Sequence, residues 1–382
     1  MIKVGFIGTV SEEWMGGLNY FKNLLFAIKS LSNKELQVYV FVGKKTDIKI
    51  KEMFGRYATV IEDSLFDRKS LKWVFMKIET KIFKTNYFLE STLKKNRIEI
   101  LSHSFLTRFK HIKTINWIPD FQHIHLPKMF SREEVIQRNK TFLNVIKQSD
   151  VIVVSSYDAL KDLKLFAPGH EKKVKVLHFV SQPSYKYHQM NKDDEDKLVD
   201  KYSIKDSFYY IPNQFWKHKN HMIVLEAIKL LKQDNIDINL ICTGYLTDYR
   251  NKDHINKIKI FIDKNNLNEN IKLLGLVAYD DVFGLIKISK AVINPSLFEG
   301  WSSTVEECKS VGKNMILSDL TVHKEQYPDA TFFDRHDVDS LKNILKNYKG
   351  ERSSYDEKKL RERTRKFANT YVVICKEVVQ TN

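Results

Sequence analysis

Cysteine is nearly missing from this chain: Cys242, Cys308 and Cys375 are the only three in 382 residues, far apart. That spacing supports neither a zinc knuckle nor a disulfide framework, and a reducing compartment is expected. With 13 glycines and 7 prolines the chain is neither collagen-like nor of low complexity. No apolar run approaches the roughly 18 residues of a membrane-spanning helix. The opening run Ile2-Lys3-Val4-Gly5-Phe6-Ile7-Gly8 is too short for a secretory signal and leads straight into Ser11-Glu12-Glu13. It reads as a buried strand, and a cytoplasmic location is expected. A G-x-G-x-x-G fingerprint is missing, so no dinucleotide cofactor is expected. Nor is there a G-x-S-x-G nucleophile turn, or an Asp-x-Asp placed after a strand to hold a metal; the expectation is a protein without cofactor or metal.

What is present is an ordinary soluble composition, 43% hydrophobic, 29% charged and 12% aromatic, with a formal net charge of +16. At about 150 residues per domain the length suggests two domains. The positive charge has three possible uses: solubility, attraction of a polyanion, or adhesion to an anionic membrane. It is concentrated between Arg68 and Arg97, where nine cations (Arg68, Lys69, Lys72, Lys77, Lys81, Lys84, Lys94, Lys95, Arg97) face only Glu79 and Glu90. Leu71, Val74, Phe75, Ile78, Ile82 and Phe83 interleave at spacings of three and four, which predicts an amphipathic basic helix. The expectation is a core-facing helix with a solvated basic face; the alternative is contact with an anionic membrane surface, the inner face of the plasma membrane, through residues 68–97. No nucleic-acid-binding motif accompanies it, so nucleic acid is not an expected partner.

Strand and helix signals alternate along the chain. Residues 2–8, 37–43, 98–102, 114–118, 151–155 and 174–178 predict short buried strands of a mainly parallel sheet, with Leu18, Phe21, Leu25 and Ile28 on one face of the first helix. A polar stretch at 182–207, with Asp193-Asp194-Glu195-Asp196 as solvated charge, predicts a domain boundary. The alternation then resumes, with strands at 208–211, 238–243, 271–274, 291–294 and 315–318. The fold class is therefore α/β: two Rossmann-like domains in tandem, whose ligands bind beyond the carboxyl ends of the strands, in a cleft between them. The expected bounds are 1–185 for the first domain, 206–360 for the second, and 361–382 for a helix returning to the first.

The most informative stretch is Asn294-Pro295-Ser296-Leu297-Phe298-Glu299-Gly300-Trp301-Ser302-Ser303-Thr304-Val305-Glu306-Glu307. A strand ends, a loop carries Glu299-Gly300, and a helix begins with Ser303 as expected N-cap and Glu306 completing a capping box. Free amides at such a helix start favour an anion, and a pyrophosphate suits them. Gly300 allows close approach of a ligand, and Trp301 borders it. Carboxylates accept strongly from hydroxyls, so Glu299 and Glu307 suit two polyols on either side of a phosphate. Glu306 is expected only to cap and solvate its helix.

This run resembles the retaining GT-B glycosyltransferases of the large family 4 type (glycosyl transferases group 1), whose pattern is Pro-Ser-x-x-Glu-Gly with a second Glu eight positions on. Gly312-Lys313-Asn314-Met315-Ile316-Leu317-Ser318-Asp319 continues the resemblance, which covers most of the chain. It implies that 1–185 is the acceptor-binding domain and 206–360 the nucleotide-sugar-binding domain, that Glu299 lies at the donor sugar and that Glu307 binds the nucleotide ribose. It places Lys219 on the donor phosphates, with Gln214 where the family carries an Arg. Lys217 is either the substitute cation or a solvated lysine. The Gly16-Gly17 pair would approach the diphosphate. Asp120 matches an Asp at the reacting sugar, but Pro119 replaces the neighbouring His, leaving His123 or His125 to take its role, or no His at all.

The implied activity is transfer of a sugar, with retention, from a nucleotide diphosphate sugar to a hydroxyl on a saccharide or lipid-linked acceptor, as in bacterial surface polysaccharide or lipopolysaccharide assembly. Lys219 and the Ser302, Ser303 and Thr304 amides would receive the charge of the departing phosphate. The alternatives are a GT-B sugar-nucleotide epimerase and a non-catalytic polyanion- or membrane-binding protein; the latter explains the charge but not Glu299, Lys219 and Glu307.

Overall fold

A computed structural model describes residues 1–8, 15–83, 85–107, 109–248, 250–251, 253–350 and 355–380. Contacts divide the chain into two compact units. The first comprises Met1–Phe121, Ser131–Val180 and Lys358–Asn382; the second comprises Gln122–Phe130 and Ser181–Glu357.

The first unit is built on seven strands: β1 (Ile2–Ile7), β2 (Leu36–Val42), β3 (Thr59–Glu62), β4 (Ile100–Ser102), β5 (Lys113–Ile118), β6 (Val151–Val154) and β7 (Val174–Val176). Their order is β3-β2-β1-β4-β5-β6-β7, and every pairing is parallel. The second unit has six: β8 (Phe208–Ile211), β9 (Asn239–Thr243), β10 (Ile271–Gly275), β11 (Ala291–Asn294), β12 (Met315–Ser318) and β13 (Thr331–Phe333), in the order β10-β9-β8-β11-β12-β13, also all parallel. These are the two doubly wound sheets expected of a GT-B fold. The four-residue β3 and the three-residue β13 escaped the sequence reading. Both are edge strands, and their apolar runs are too short to stand out.

Two-residue periodicity sends β8 and β11 side chains to opposite faces of the second sheet. Ile211 and Ile293 pack under the helix His221–Gln233 with Val224, Leu225 and Ile228. Tyr210 and Val292 pack on the other face with Val305 and Cys308 of the helix Ser303–Ser310. Full burial of a side chain of this size stabilises by about 1.5–3 kcal/mol, so both helices are held firmly at the strand ends. Cys308 is thus a core residue, its thiol pushed far up by burial.

In the first unit Tyr20 stacks on Trp117 with ring centroids 4.0 Å apart and a 7° interplanar angle. The C-terminal helix Glu357–Gln380 reaches this core, where the buried Tyr371 hydroxyl donates to Ser102 Oγ at 2.7 Å.

The polar stretch after residue 182 is structured. It forms the helices Tyr185–Gln189 and Lys192–Lys201, the second started by a capping box between Asn191 and Asp194 and anchored by the buried Leu198. The basic segment is not one core-facing helix. It is two helices, Leu71–Ile82 and Tyr87–Lys95, and the apolar stripe of the first faces solvent. Lys84 lies outside the described residues.

Candidate active site

The second sheet reverses its winding between β8 and β11, the topological switch point at which open α/β sheets take ligands. The segments leaving those two strands are tied together. Asn213, two residues beyond β8, donates from Nδ2 to Asn294 Oδ1 at the end of β11 (3.1 Å). Its own Oδ1 accepts from Thr304 Oγ1 at 2.9 Å. Asn294 Nδ2 donates to Ser302 Oγ at 2.9 Å. All four residues are buried.

On this platform Lys219 and Glu299 meet. Lys219 Nζ donates to Glu299 Oε1 at 2.6 Å, and their side chains are only 12% and 9% exposed. Lys219 ends a 3₁₀ turn, Lys217–Lys219, and the following Asn220 adopts a left-handed backbone (φ 54°) to start the next helix. Ser296 Oγ lies 2.7 Å from Glu299 Oε1 and 2.8 Å from Asn294 Oδ1. Its single proton goes to the stronger acceptor, the carboxylate. Burial alone would raise the Glu299 pKa. The Lys219 charge and the hydrogen bonds from Lys219 and Ser296 outweigh it, so the carboxyl sits below its usual range. His323 is also buried here; its Nδ1 lies 3.0 Å from Ser318 O, and its Nε2 has no hydrogen-bond partner. Burial lowers its pKa against the opposing pull of Glu299, which leaves a neutral imidazole with an acceptor nitrogen.

The helix start differs from expectation in its cap. Ser302, not Ser303, is the N-cap, its hydroxyl accepting from Val305 N at 3.4 Å. Nor does Glu306 close a capping box or face water. It is fully buried and accepts from Gln326 Nε2 at 3.1 Å and Lys309 Nζ at 3.3 Å. Gln326 also bonds the Ser302 carbonyl and amide, at 2.8 and 3.0 Å. Ser302 therefore spends its amide and hydroxyl on the protein. Ser303 and Thr304 carry the first two helical amides, which have no acceptor within the helix. One turn on, the buried Glu307 accepts from Tyr279 Oη at 3.0 Å.

The remaining sequence candidates are dispersed. Lys217 is exposed, and its backbone amide donates to Asp248 Oδ2 at 3.2 Å. Gly300 and Trp301 are half-buried on the loop. His123 is fully buried in the short helix Gln122–His125; it is the exposed His125 whose ring lies 5.1 Å from that of Phe298, beside Glu299. Asp120 follows β5, and Gly16 and Gly17 form the first turn of the helix Met15–Ser30; all three belong to the first unit.

Sequence reasoning also missed two contributors. Gln214, standing where a cation was sought, accepts from Tyr245 N at 2.7 Å and so ties the loop after β8 to that after β9. Nearby, the Arg250 side chain, 9% exposed, lies over the Trp216 and Phe130 rings (5.3 and 5.5 Å), with Nε 3.2 Å from Asp248 Oδ1 and a terminal nitrogen donating to Gln122 at 3.1 Å. Lying some thirty residues beyond the motif it neighbours, it left no local signal.

Residues 194–369 match the family model of glycosyl transferases group 1, so the chain carries that domain and is an enzyme of the glycosyltransferase class. Anabaena Alr3699/HepE in complex with UDP and glucose aligns over 100% of this chain and 99% of its own, with a TM-score of 0.69 at 13% identity. A glycosyltransferase from Rickettsia africae ESF-5 aligns over the same shares with a TM-score of 0.66 at 15% identity. WaaG, a glycosyltransferase involved in lipopolysaccharide biosynthesis, aligns over 100% of both chains with a TM-score of 0.60 at 11% identity. Identities this low establish the shared fold. No curated protein matches the chain in sequence.

Proposed function

We propose that this chain, a glycosyltransferase by the domain it carries, moves a sugar from a nucleotide diphosphate sugar to a hydroxyl acceptor with retained anomeric configuration. One observation carries the reading: a buried Lys219–Glu299 pair is linked through Ser296 and Asn294 to Ser302 at the start of the helix Ser303–Ser310, whose next turn carries a second buried carboxylate, Glu307. A cation and two amides without an acceptor in their helix suit a diphosphate. Carboxylates on either side of it suit hydroxyls, Glu299 those of the sugar and Glu307 those of the ribose.

In the reaction the bond between the anomeric carbon and the phosphate oxygen breaks, the acceptor oxygen bonds to that carbon from the same face, and the acceptor proton passes to the departing phosphate oxygen. Negative charge gathers on the departing nucleotide diphosphate, where Lys219 and the helix amides receive it. No metal is invoked. The positive charge that builds on the sugar ring lies near the Glu299 carboxylate, which stays ionised because Lys219 holds it so. Asp120 and either His123 or His125 are the candidates for orienting the acceptor. The UDP and glucose held by the Anabaena structure favour a uridine donor, and the lipopolysaccharide role of WaaG favours an acceptor that is a surface saccharide or its lipid-linked precursor.

The test is thermal unfolding with UDP, GDP and ADP, followed by turnover of the matching nucleotide sugars. A ligand at about one hundred times its Kd stabilises by about 2.7 kcal/mol, so one diphosphate should raise the midpoint by several degrees. Failure of all three to move it would overturn the proposal.

A further inference from the structure

The exposed helix Leu71–Ile82 carries its apolar residues on the wrong side for a soluble protein. At about 100° per residue, Leu71, Val74, Phe75, Ile78 and Ile82 fall within an arc of roughly 100°, and that arc faces outward. Leu71 is 78% exposed, Phe75 55%, Ile82 63% and the adjoining Phe83 70%. Tyr87 and Phe88, at the start of the next helix, extend the patch. The inner face of the helix, with Trp73, Met76 and Thr80, borders a cavity of about 470 Å³ beside Phe21 and Leu89. The helix is thus not clamped to the core by the stripe, and folding does not account for five large apolar side chains in water.

The charges around the stripe name its partner. On the helix, Lys72 lies on one side of it and Lys77 and Lys81 on the other, all exposed. Arg68 and Lys69 precede it, and Lys94, Lys95 and Arg97 follow; all five are exposed. Lys72 also reaches Asp63, at 3.0 Å. The two carboxylates of the segment are turned away. Glu79 is buried and accepts from Thr85 Oγ1 (2.6 Å), from Phe88 N (3.1 Å) and from the Tyr87 amide, capping the next helix. Glu90 accepts from the amides of Lys110 and His111, at 3.2 and 2.9 Å. An apolar stripe flanked on both sides by cations complements a lipid interface carrying negative headgroups. A second copy of the same basic face would be repelled.

We propose that the outer face of the helix Leu71–Ile82, with Phe83 and the start of the helix Tyr87–Lys95, docks the first unit on an anionic bilayer. The apolar side chains enter the headgroup–acyl boundary, and the flanking cations meet the phosphates. No helix among the described residues is long and apolar enough to cross a membrane, so the contact is peripheral.

The experiment is co-sedimentation of the full chain with vesicles of phosphatidylcholine alone or with about one-third phosphatidylglycerol. Binding should need the anionic lipid and fall when salt rises from about 0.1 M to about 1 M, which shortens the screening length from about 10 Å to about 3 Å. Combining Phe75→Ser, Ile82→Ser and Phe83→Ser should weaken partitioning on the order of tenfold or more, with the thermal midpoint unchanged. Should that variant unfold, the combined charge reversals Lys72→Glu, Lys77→Glu and Lys81→Glu carry the same expectation. Equal binding to both vesicle types, no binding to either, or binding untouched by the folded variants would overturn the proposal. So would RNA binding, or dimerisation through this face, without vesicle binding. The proposal does not rest on the transferase reading, since vesicle binding and the nucleotide-induced shift fail separately.

Discussion

Lys219 and Glu299, eighty residues apart in sequence, form a buried ion pair at 2.6 Å. Removing one partner of such a pair leaves a stranded charge and costs about 3–5 kcal/mol. Lys219→Met should therefore destabilise by that order, and adding Glu299→Gln should recover much of the loss. The sign with pH follows from the depressed Glu299 pKa. The stabilisation is complete above the ordinary carboxyl value of 4.5 and fades as pH falls through the lower folded value. The gap between wild type and Lys219→Met in urea unfolding should accordingly close in acid. A gap under about 1 kcal/mol at pH 7 would show the pair to be energetically idle. Glu299→Ala should abolish transfer; because Glu299 is buried and paired, its fold has to be measured alongside, and a folded variant with wild-type turnover would remove Glu299 from the mechanism.

The alternation of apolar runs and helices made both sheets legible in the sequence, because strands buried on two faces are continuous apolar runs. Glu299 was legible because a loop carboxylate beside glycine has little packing reason to be there, and Lys219 only because its place after β8 resembles the family's phosphate lysine. What stayed hidden was tertiary. The Ser302 cap was misplaced by one residue because Ser303 has the same chemistry; the choice was made by Asn294 and Gln326, which no local pattern reveals. Glu306 was read as solvated because the sequence does not show that Gln326 and Lys309 meet it in the core. The stripe from Leu71 to Ile82 was read as core-facing for a related reason: periodicity marks a face and says nothing of which way it turns.

Acid should destabilise the protein through histidines that are buried without charge. His103 lies between Ser102 Oγ (2.7 Å) and Tyr20 Oη (2.8 Å), and burial brings its pKa down to about 3. His221, stacked on Phe215 at 4.4 Å, is likewise lowered to about 3, again chiefly by burial. The unfolded chain protonates them near pH 6.5, the folded chain only near pH 3, so the unfolded state binds the extra protons between those values. Stability should thus fall by about 1.4 kcal/mol per pH unit per histidine in that window. His103→Gln should remove one such contribution from the slope of urea stability against pH between 6 and 4. An unchanged slope would mean that His103 takes up its proton in the folded state.

Gly244 tests how the strand ends are held. Its φ is 139°, and a Cβ added there would lie 2.3 Å from Asn213 O, 2.7 Å from Asn213 C and 3.0 Å from Gln214 Cα. These are backbone atoms, so no side chain can swing aside. Gly244→Ala must push apart the segments after β8 and β9, which are joined by the Phe215 N to Tyr245 O bond at 3.1 Å and by Gln214. Asn213, and with it the bonds to Asn294 and Thr304, would move. Gly169 supplies the control: its φ is 86°, but a Cβ there meets nothing within 4 Å. Gly169→Ala should cost about 1 kcal/mol of backbone strain and leave nucleotide-induced stabilisation intact. Gly244→Ala should cost at least about 3 kcal/mol and abolish that stabilisation. If the two variants proved equally mild in urea unfolding and both kept the nucleotide shift, the close approach at Asn213 would not be what positions Thr304 and Glu299.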